Sequence, residues 1–413
     1  MRRAAIVAPV RTPSGIEGGA LSGMSPEWLA STVLSAVIAR SGINPLRIED
    51  VAMACVDNRA GAPELSRLAA RGAGLPFAVP GFLTDCRCGS GLQAVITAAM
   101  MVQTGAADVV VAGGVECSAA GDCSPVGRNT AAGCDPFQSG DLANAEDLAR
   151  YYGISREEAD QFAVASHRKA ARAWRQGTFT AEVIPVGVVE DANDWNSFDT
   201  AARHRIMRDE GVREDVSTHA LAALHPLIAR GVVTEGNMSS HRNGASACLV
   251  VAEDRLDEFG LVPMAYLVGW AAAGCDSDTA TLGAAPAVAK LLGRTGFTLD
   301  DLDLIEVNEG FAVEVLALAR AWELDPRDRL NVNGSAIALG HPVGATGLRI
   351  MTTMLHELAR TNGNYGLEAI ALGHDHGIAA LFESAGTAPI METPRGARFH
   401  GVRASRRSGR HRA

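Results

Sequence analysis

Asp85-Cys86-Arg87-Cys88-Gly89-Ser90-Gly91 opens an Ala/Met-rich helical stretch to Gln103, and Asp108-Val109-Val110-Val111-Ala112-Gly113-Gly114 follows as a buried strand ending in glycines. The same order returns near the C-terminus. There Gly340-His341-Pro342-Val343-Gly344-Ala345-Thr346-Gly347 reads as a loop, a helix runs from Leu348 to about Arg360, and a strand from Leu367 to Leu372 ends at Gly373. A turn, a buried helix and a buried strand repeated in this way predict an internally duplicated chain. Two halves related by a pseudo-dyad would bring two helix N-termini, one bearing Cys88 and one following His341, to a shared centre.

Outward from these stretches, strands and helices alternate, so the fold class is α/β. The chain opens with a strand over Ala4 to Val10, a Gly-rich turn over Gly15 to Gly23, and a helix from Pro26 to Ser41 closed by Gly42. Residues 118–244 differ in character, being rich in charge, and Ser155-Arg156-Glu157-Glu158 forms a capping box for a helix running to Gln176. The strand Ala247 to Ala252 returns the chain to the first half. The expected organisation is an N-terminal half from 1–117 plus 245–263, a loop domain over 118–244 covering the site, a C-terminal half over 264–393, and a tail over 394–413.

With 47% hydrophobic and 20% charged residues, the 413-residue chain has the balance of a globular protein and not of a disordered one. The longest apolar runs fall well short of the roughly 20 residues that span a bilayer. Arg11 and Glu17 interrupt the apolar N-terminus before it can act as a signal peptide, so a cytoplasmic location is expected. The net charge of −10 hides a tail carrying seven arginines and no acid on an otherwise acidic body. Such a tail reads as a solvated segment, and no nucleic-acid partner is expected. The eight cysteines show no CxxC pair and no spacing to histidine that a zinc site requires, so no metal is expected.

Cys88 precedes a Gly-Ser-Gly that opens a helix, where exposed N–H groups and the positive helix end would stabilise a thiolate. It is the candidate nucleophile. His341 is held before a proline among glycines that let the backbone approach a ligand, which suits a base or an oxyanion donor. Asn308, after the strand Asp303 to Val307, lies where α/β folds place their sites, and it serves equally well as an Asx-turn capping the next helix. His374 and His376 flank Asp375 at the end of the last buried strand, where proton transfer fits better than metal binding.

Taken together these residues resemble the thiolase family over essentially residues 1–385. The matching segments are Ala8-Pro9-Val10-Arg11-Thr12-Pro13, Cys88-Gly89-Ser90-Gly91-Leu92-Gln93-Ala94, Ala112-Gly113-Gly114-Val115-Glu116, and Ala145-Glu146 with Tyr152-Gly153-Ile154-Ser155-Arg156-Glu157-Glu158. Asn308-Glu309-Gly310-Phe311-Ala312 and Asn331-Val332-Asn333-Gly334 through Gly347 complete them. The resemblance implies a duplicated αβαβα five-layer fold with an inserted loop domain, a homodimer or homotetramer, and coenzyme A thioesters as substrates with no tightly bound cofactor. It implies that Cys88 takes an acyl group while His341 accepts its proton, that Asn308 (through a water) and His341 hold one thioester oxygen, and that the N–H groups of Cys88 and Gly373 form the oxyanion hole of the acyl-enzyme. Ser239 matches a serine that contacts the pantetheine.

One departure bears on mechanism. The family's second cysteine, which moves the proton of the second thioester, is replaced by Ala371, and the run continues Leu372-Gly373-His374-Asp375-His376-Gly377. Other departures are Gly310 in the Asn-Glu-Ala-Phe motif and Ser240-His241-Arg242-Asn243 for Gly-x-Asn-Asp. Three readings follow. His374 or His376 replaces the cysteine and carbon–carbon chemistry survives; or the acyl group passes from Cys88 to an oxygen, nitrogen or water acceptor, with His341 as sole base; or the chain is a non-catalytic acyl-CoA-binding partner. The donor is carried on coenzyme A or on an acyl carrier protein.

Overall fold

The computed structural model describes residues 2–16, 18–56, 64–117, 139–187, 205–275, 282–373 and 375–386. The Arg-rich tail and the segment 118–138 lie outside the described residues, as does His374. The first half contains β1 (Ala4–Arg11), α1 (Pro26–Ser41), β2 (Asp50–Ala54), α2 (Leu65–Gly72), β3 (Phe82–Thr84), α3 (Ser90–Thr104) and β4 (Val109–Glu116). Then come α4 (Ser139–Tyr152), α5 (Arg156–Gln176), the short β5 (Val186–Gly187) and β6 (Arg205–Ile206), and α6 (Thr218–Ala222). The chain returns through β7 (Gly244–Ala252) and α7 (Leu256–Phe259). The second half is β8 (Ala265–Gly274), α8 (Ala284–Thr295), β9 (Leu304–Val307), α9 (Ala312–Ala321), α10 (Ala336–Leu339), α11 (Val343–Thr361), β10 (Tyr365–Ala371) and β11 (His376–Ser384).

The duplication read in the sequence is present in the topology. In the first half β2 runs parallel to β4, β4 antiparallel to β7, and β7 antiparallel to β1. In the second, β9 runs parallel to β10, β10 antiparallel to β11, and β11 antiparallel to β8. β1 and β8 pair over two residues only, joining the halves in a sheet of order β3-β2-β4-β7-β1-β8-β11-β10-β9. The apolar clusters give the layers. One packs β1, β2, β4 and β7 against α1 and α2. One joins strands of both halves around α3 and α11, and one packs β8 to β11 against α8 and α9. This is an αβαβα arrangement.

Sequence signals fix several element ends. Ser25 caps α1 and Gly42 closes it at φ 71°. The Ser155–Glu158 capping box opens α5. α11 starts five residues earlier than the sequence implies, at Val343, with Pro342 as N-cap. Gly344 and Gly347 are therefore helical, and they serve a neighbouring helix and strand, not a ligand. A Cβ on Gly347 would lie 2.6 Å from Leu92 N, and one on Gly91 would lie 2.8 Å from Leu348 N, so α3 and α11 meet backbone to backbone. Gly114 likewise abuts the Gly344 carbonyl.

Charge clamps the loop-domain segment to this framework. Arg11, fully buried, donates to Glu182 at 2.5 Å and to both oxygens of Asp209 at 2.8 and 3.1 Å. Burial alone would lower its pKa, yet the two carboxylates outweigh that and keep it charged. Removing one partner of such a buried set costs about 3–5 kcal/mol.

Gly347→Ala is expected to cost about 1–3 kcal/mol in chemical denaturation, because backbone faces the added methyl. Gly293→Ala, a helical position with nothing within 4 Å, is expected to gain up to about 1 kcal/mol. Equal effects would refute the close-contact role of Gly347.

Candidate active site

Cys88 lies in a single 3-10 turn, Arg87–Gly89, that leads into α3, and Arg87 adopts φ 49° to present it. His341 lies just before α11. Although 253 positions apart, Cys88 Sγ and His341 Nε2 are 3.1 Å from each other. Gly340, at φ 93°, abuts the side chain of Arg242, which leaves no room for a Cβ, and the His341 N–H donates to Ser240 O at 3.0 Å. The carboxylate of Glu116, at the end of β4, accepts from Gly344 N at 2.8 Å and so satisfies an N–H of the first turn of α11.

A residue that sequence reasoning missed fixes the tautomer. Thr346 donates its hydroxyl proton to Pro342 O at 2.9 Å, so at 2.8 Å from His341 Nδ1 it accepts from that nitrogen. Nε2 is then bare and faces the Cys88 thiol, the arrangement of a general base. A threonine five residues after a candidate histidine, one helical turn into its own helix, is a faint signal, visible only once the helix start is known.

Electrostatics correct the expectation of a stabilised thiolate. Burial pushes the Cys88 thiol up to about 12, against the helping charge of Arg87. Burial, with His241 and Arg349 nearby, lowers His341 to about 3. The pair therefore rests as neutral thiol and neutral imidazole, and the proton moves only as the sulfur attacks.

The other sequence candidates gather unevenly. Asn308 is buried and its Oδ1 makes no hydrogen bond to protein, so it does not serve as the Asx cap. The cap of α9 is Phe311. Ser239, fully buried, likewise has an Oγ with no protein partner, and its N–H donates to Gly310 O at 2.9 Å. Glu309, by contrast, is structural: it accepts from Ser166 at 2.7 Å, Asn331 at 3.0 Å and Ile337 N at 3.1 Å. Gly373, at φ 83°, lies against Arg87. His376 is half-exposed, and its Nδ1 is 2.6 Å from Asp375 Oδ1 with no hydrogen bond to Cys88. A basic groove of about 640 Å³ along α5, lined by Arg168, Lys169, Arg172 and Arg175, lies apart from these residues. No group of metal-ligating residues occurs among the described residues.

This fold, with a cysteine and a histidine meeting at the ends of two duplicated helices, defines an acyltransferase of the thiolase class. The thiolase N-terminal domain matches residues 4–129 and 138–254 and the thiolase C-terminal domain residues 261–384, and the chain belongs to the thiolase family. It is 36% identical to an acetyl-CoA acetyltransferase of Chromobacterium violaceum over 398 residues, covering 92% of this chain and 99% of that one. It is equally identical to a probable acetyl-CoA acyltransferase of Staphylococcus aureus with the same coverage. Among solved structures, the acetyl-CoA acetyltransferase of Bacillus anthracis is similar at a TM-score of 0.83 and 34% identity, covering 93% of this chain and 99% of that one. Human mitochondrial 3-ketoacyl-CoA thiolase in complex with CoA gives 0.83 and 32%, covering 93% and 98%.

Thr346→Val is expected to slow acylation roughly tenfold or more by freeing the tautomer, and Thr346→Ser to restore most of the rate. Because His341 is held near 3, its base form is present above that pH and lost only as the pH falls towards it. The acylation rate of the wild type, followed by rapid-quench mass spectrometry, is therefore expected to show no imidazole break near 6.5. A break there would contradict the neutral pair.

Proposed function

We propose that the protein forms an acyl thioester on Cys88 from an acyl-CoA and passes the acyl group to the carbon of a second thioester, or runs the reverse cleavage, in the cytoplasm and as a homodimer or homotetramer. The observation that carries this reading is the 3.1 Å contact of Cys88 Sγ with a base-competent His341 Nε2. As Sγ attacks the thioester carbonyl, Nε2 takes its proton and then returns it to the departing coenzyme A sulfur. The N–H groups of Cys88 and Gly373 would receive the oxyanion of the acyl-enzyme, Asn308 (through a water) and His341 the oxygen of the other thioester, and Ser239 the pantetheine. The unpartnered Asn308 Oδ1 and Ser239 Oγ support those assignments.

For the second half-reaction the sequence offers His374 and His376 in place of the missing thiol. A second reading, transfer to an oxygen, nitrogen or water acceptor, is favoured by Ala371, which cannot move a proton.

Intact-protein mass spectrometry after mixing with a panel of acyl-CoAs is expected to show one acyl adduct on the wild type and none on Cys88→Ser, with release of coenzyme A. A wild type that stays unmodified by every donor, or an adduct that persists in Cys88→Ser, would overturn the proposal.

A further inference from the structure

The extended segment that carries Ser239 runs on through Ser240-His241-Arg242-Asn243, a departure from the thiolase pattern that the function proposed above leaves unused. Backbone contacts fix its course. The Ser239 N–H donates to Gly310 O at 2.9 Å, the His341 N–H donates to Ser240 O at 3.0 Å, and His241 and His341 form a parallel β-bridge. Bridged residues stand about 5 Å apart with their side chains on the same face, while neighbours along a strand alternate. Arg242 packs on Gly340 and Gly211, so His241 points the other way, beside the His341 imidazole and on the side that Ser239 faces. The two rings are near enough that His241 opposes protonation of His341.

Three buried side-chain atoms here have no hydrogen bond among the described residues: Ser239 Oγ, His241 Nε2 and Asn308 Oδ1, the last two residues before Gly310. Such atoms are completed by water or by a ligand. Ser239 and Asn308 have theirs in the reaction proposed above, the pantetheine and a water, and His241 has none. A donor is also wanted at this place. His341 donates its Nδ1–H to Thr346, so its Nε2 is a donor only while it holds the proton taken from Cys88. Once that proton has left with coenzyme A, His341 faces the second thioester as an acceptor. His241 lies about 7 Å beyond Ser239 along the extended chain, towards His341. That is the reach of the two-carbon link between the last amide of pantetheine and its thioester.

We propose that His241 donates its Nε2–H to the carbonyl oxygen of the acceptor thioester, as a third member of the site that Asn308 (through a water) and His341 form. This inference rests on the function proposed above. When the histidine base of the second half-reaction takes an α-proton from the acceptor, the electron pair left behind shifts onto that oxygen, and the His241 hydrogen bond strengthens as the charge develops. The pair returns through the α-carbon to the acyl carbon on Cys88, the carbon–carbon bond forms, and the carbon–Sγ bond breaks. The Cys88 thiolate then recovers the proton from the base, and no bond to His241 forms or breaks. Burial first, and Arg242 second, lower His241 to about 4, so it meets the substrate as a neutral imidazole. A neutral imidazole polarises a carbonyl without bringing a charge into a dry site, and one so weakly basic suits the donor and not the base.

The test is exchange of the methyl protons of acetyl-CoA in D2O, read by mass spectrometry of the recovered thioester, with the rate of Cys88 acylation followed on the same proteins. His241→Leu, which keeps the bulk and removes the donor, is expected to lower exchange about 10²-fold and to leave acylation little changed. His241→Gln, whose amide places an N–H near the same point, is expected to recover much of the exchange. A merely structural role would slow both reactions together, and that result overturns the proposal. So does near-normal exchange in His241→Leu, His241→Gln no better than His241→Leu, or a wild type that acylates without any exchange. A wild type left unmodified by every acyl-CoA would instead remove the underlying function.

Discussion

Everything at this site depends on two helices that touch without side chains between them. Gly91 of α3 and Gly347 of α11 let the two backbones meet, and neither position has room for a methyl group. The 3.1 Å separation of Cys88 and His341 follows from that contact, because each residue stands at the start of one of the two helices. Glu116 adds a cross-tie from β4 to the first turn of α11. A close-packed interior of this kind cannot yield by half an ångström at one point without moving its neighbours, and so the geometry is held by the whole central layer.

The nucleophile and its base both rest uncharged although ions lie close by. Towards α11 lie an imidazole kept uncharged and the Thr346 hydroxyl, with the buried Arg349 further along the helix and the Glu116 carboxylate on its first turn. Towards α4 lies the ion pair of Arg87 with Asp141. Dry surroundings do this to both groups, since they suppress ionisation of the thiol and protonation of the imidazole.

Much of the fold was legible because its signals are local. Ser25, Gly42 and Ser155 with Glu158 mark helix ends by hydrogen bonds that the chain makes with itself, and the repeated turn, helix and strand announced the duplication before any contact was known. The meeting of Cys88 and His341 was inferable from that repeat. The start of α11 was misplaced because Gly344 and Gly347 have low helix propensity, and only packing against α3 and β4 makes them helical. Thr346 was not legible for a different reason. It belongs to an ordinary helix, and its reach to His341 becomes visible only once that helix is known to start at Val343. The state of Cys88 was misread on the same account, since the helix end is visible in the text while the depth of burial is not.

The neutral thiol has a further consequence for the protein's life in a cell. Peroxides attack the thiolate and leave the thiol largely alone, so a nucleophile that ionises only when an electrophilic carbonyl is already in place offers an oxidant almost nothing to react with. Many enzymes that rely on a permanently ionised cysteine need reductants to recover from oxidative stress. Here the resting state is its own protection, and the reactivity that would make the residue vulnerable is called up by the same group that then shields it by esterifying the sulfur.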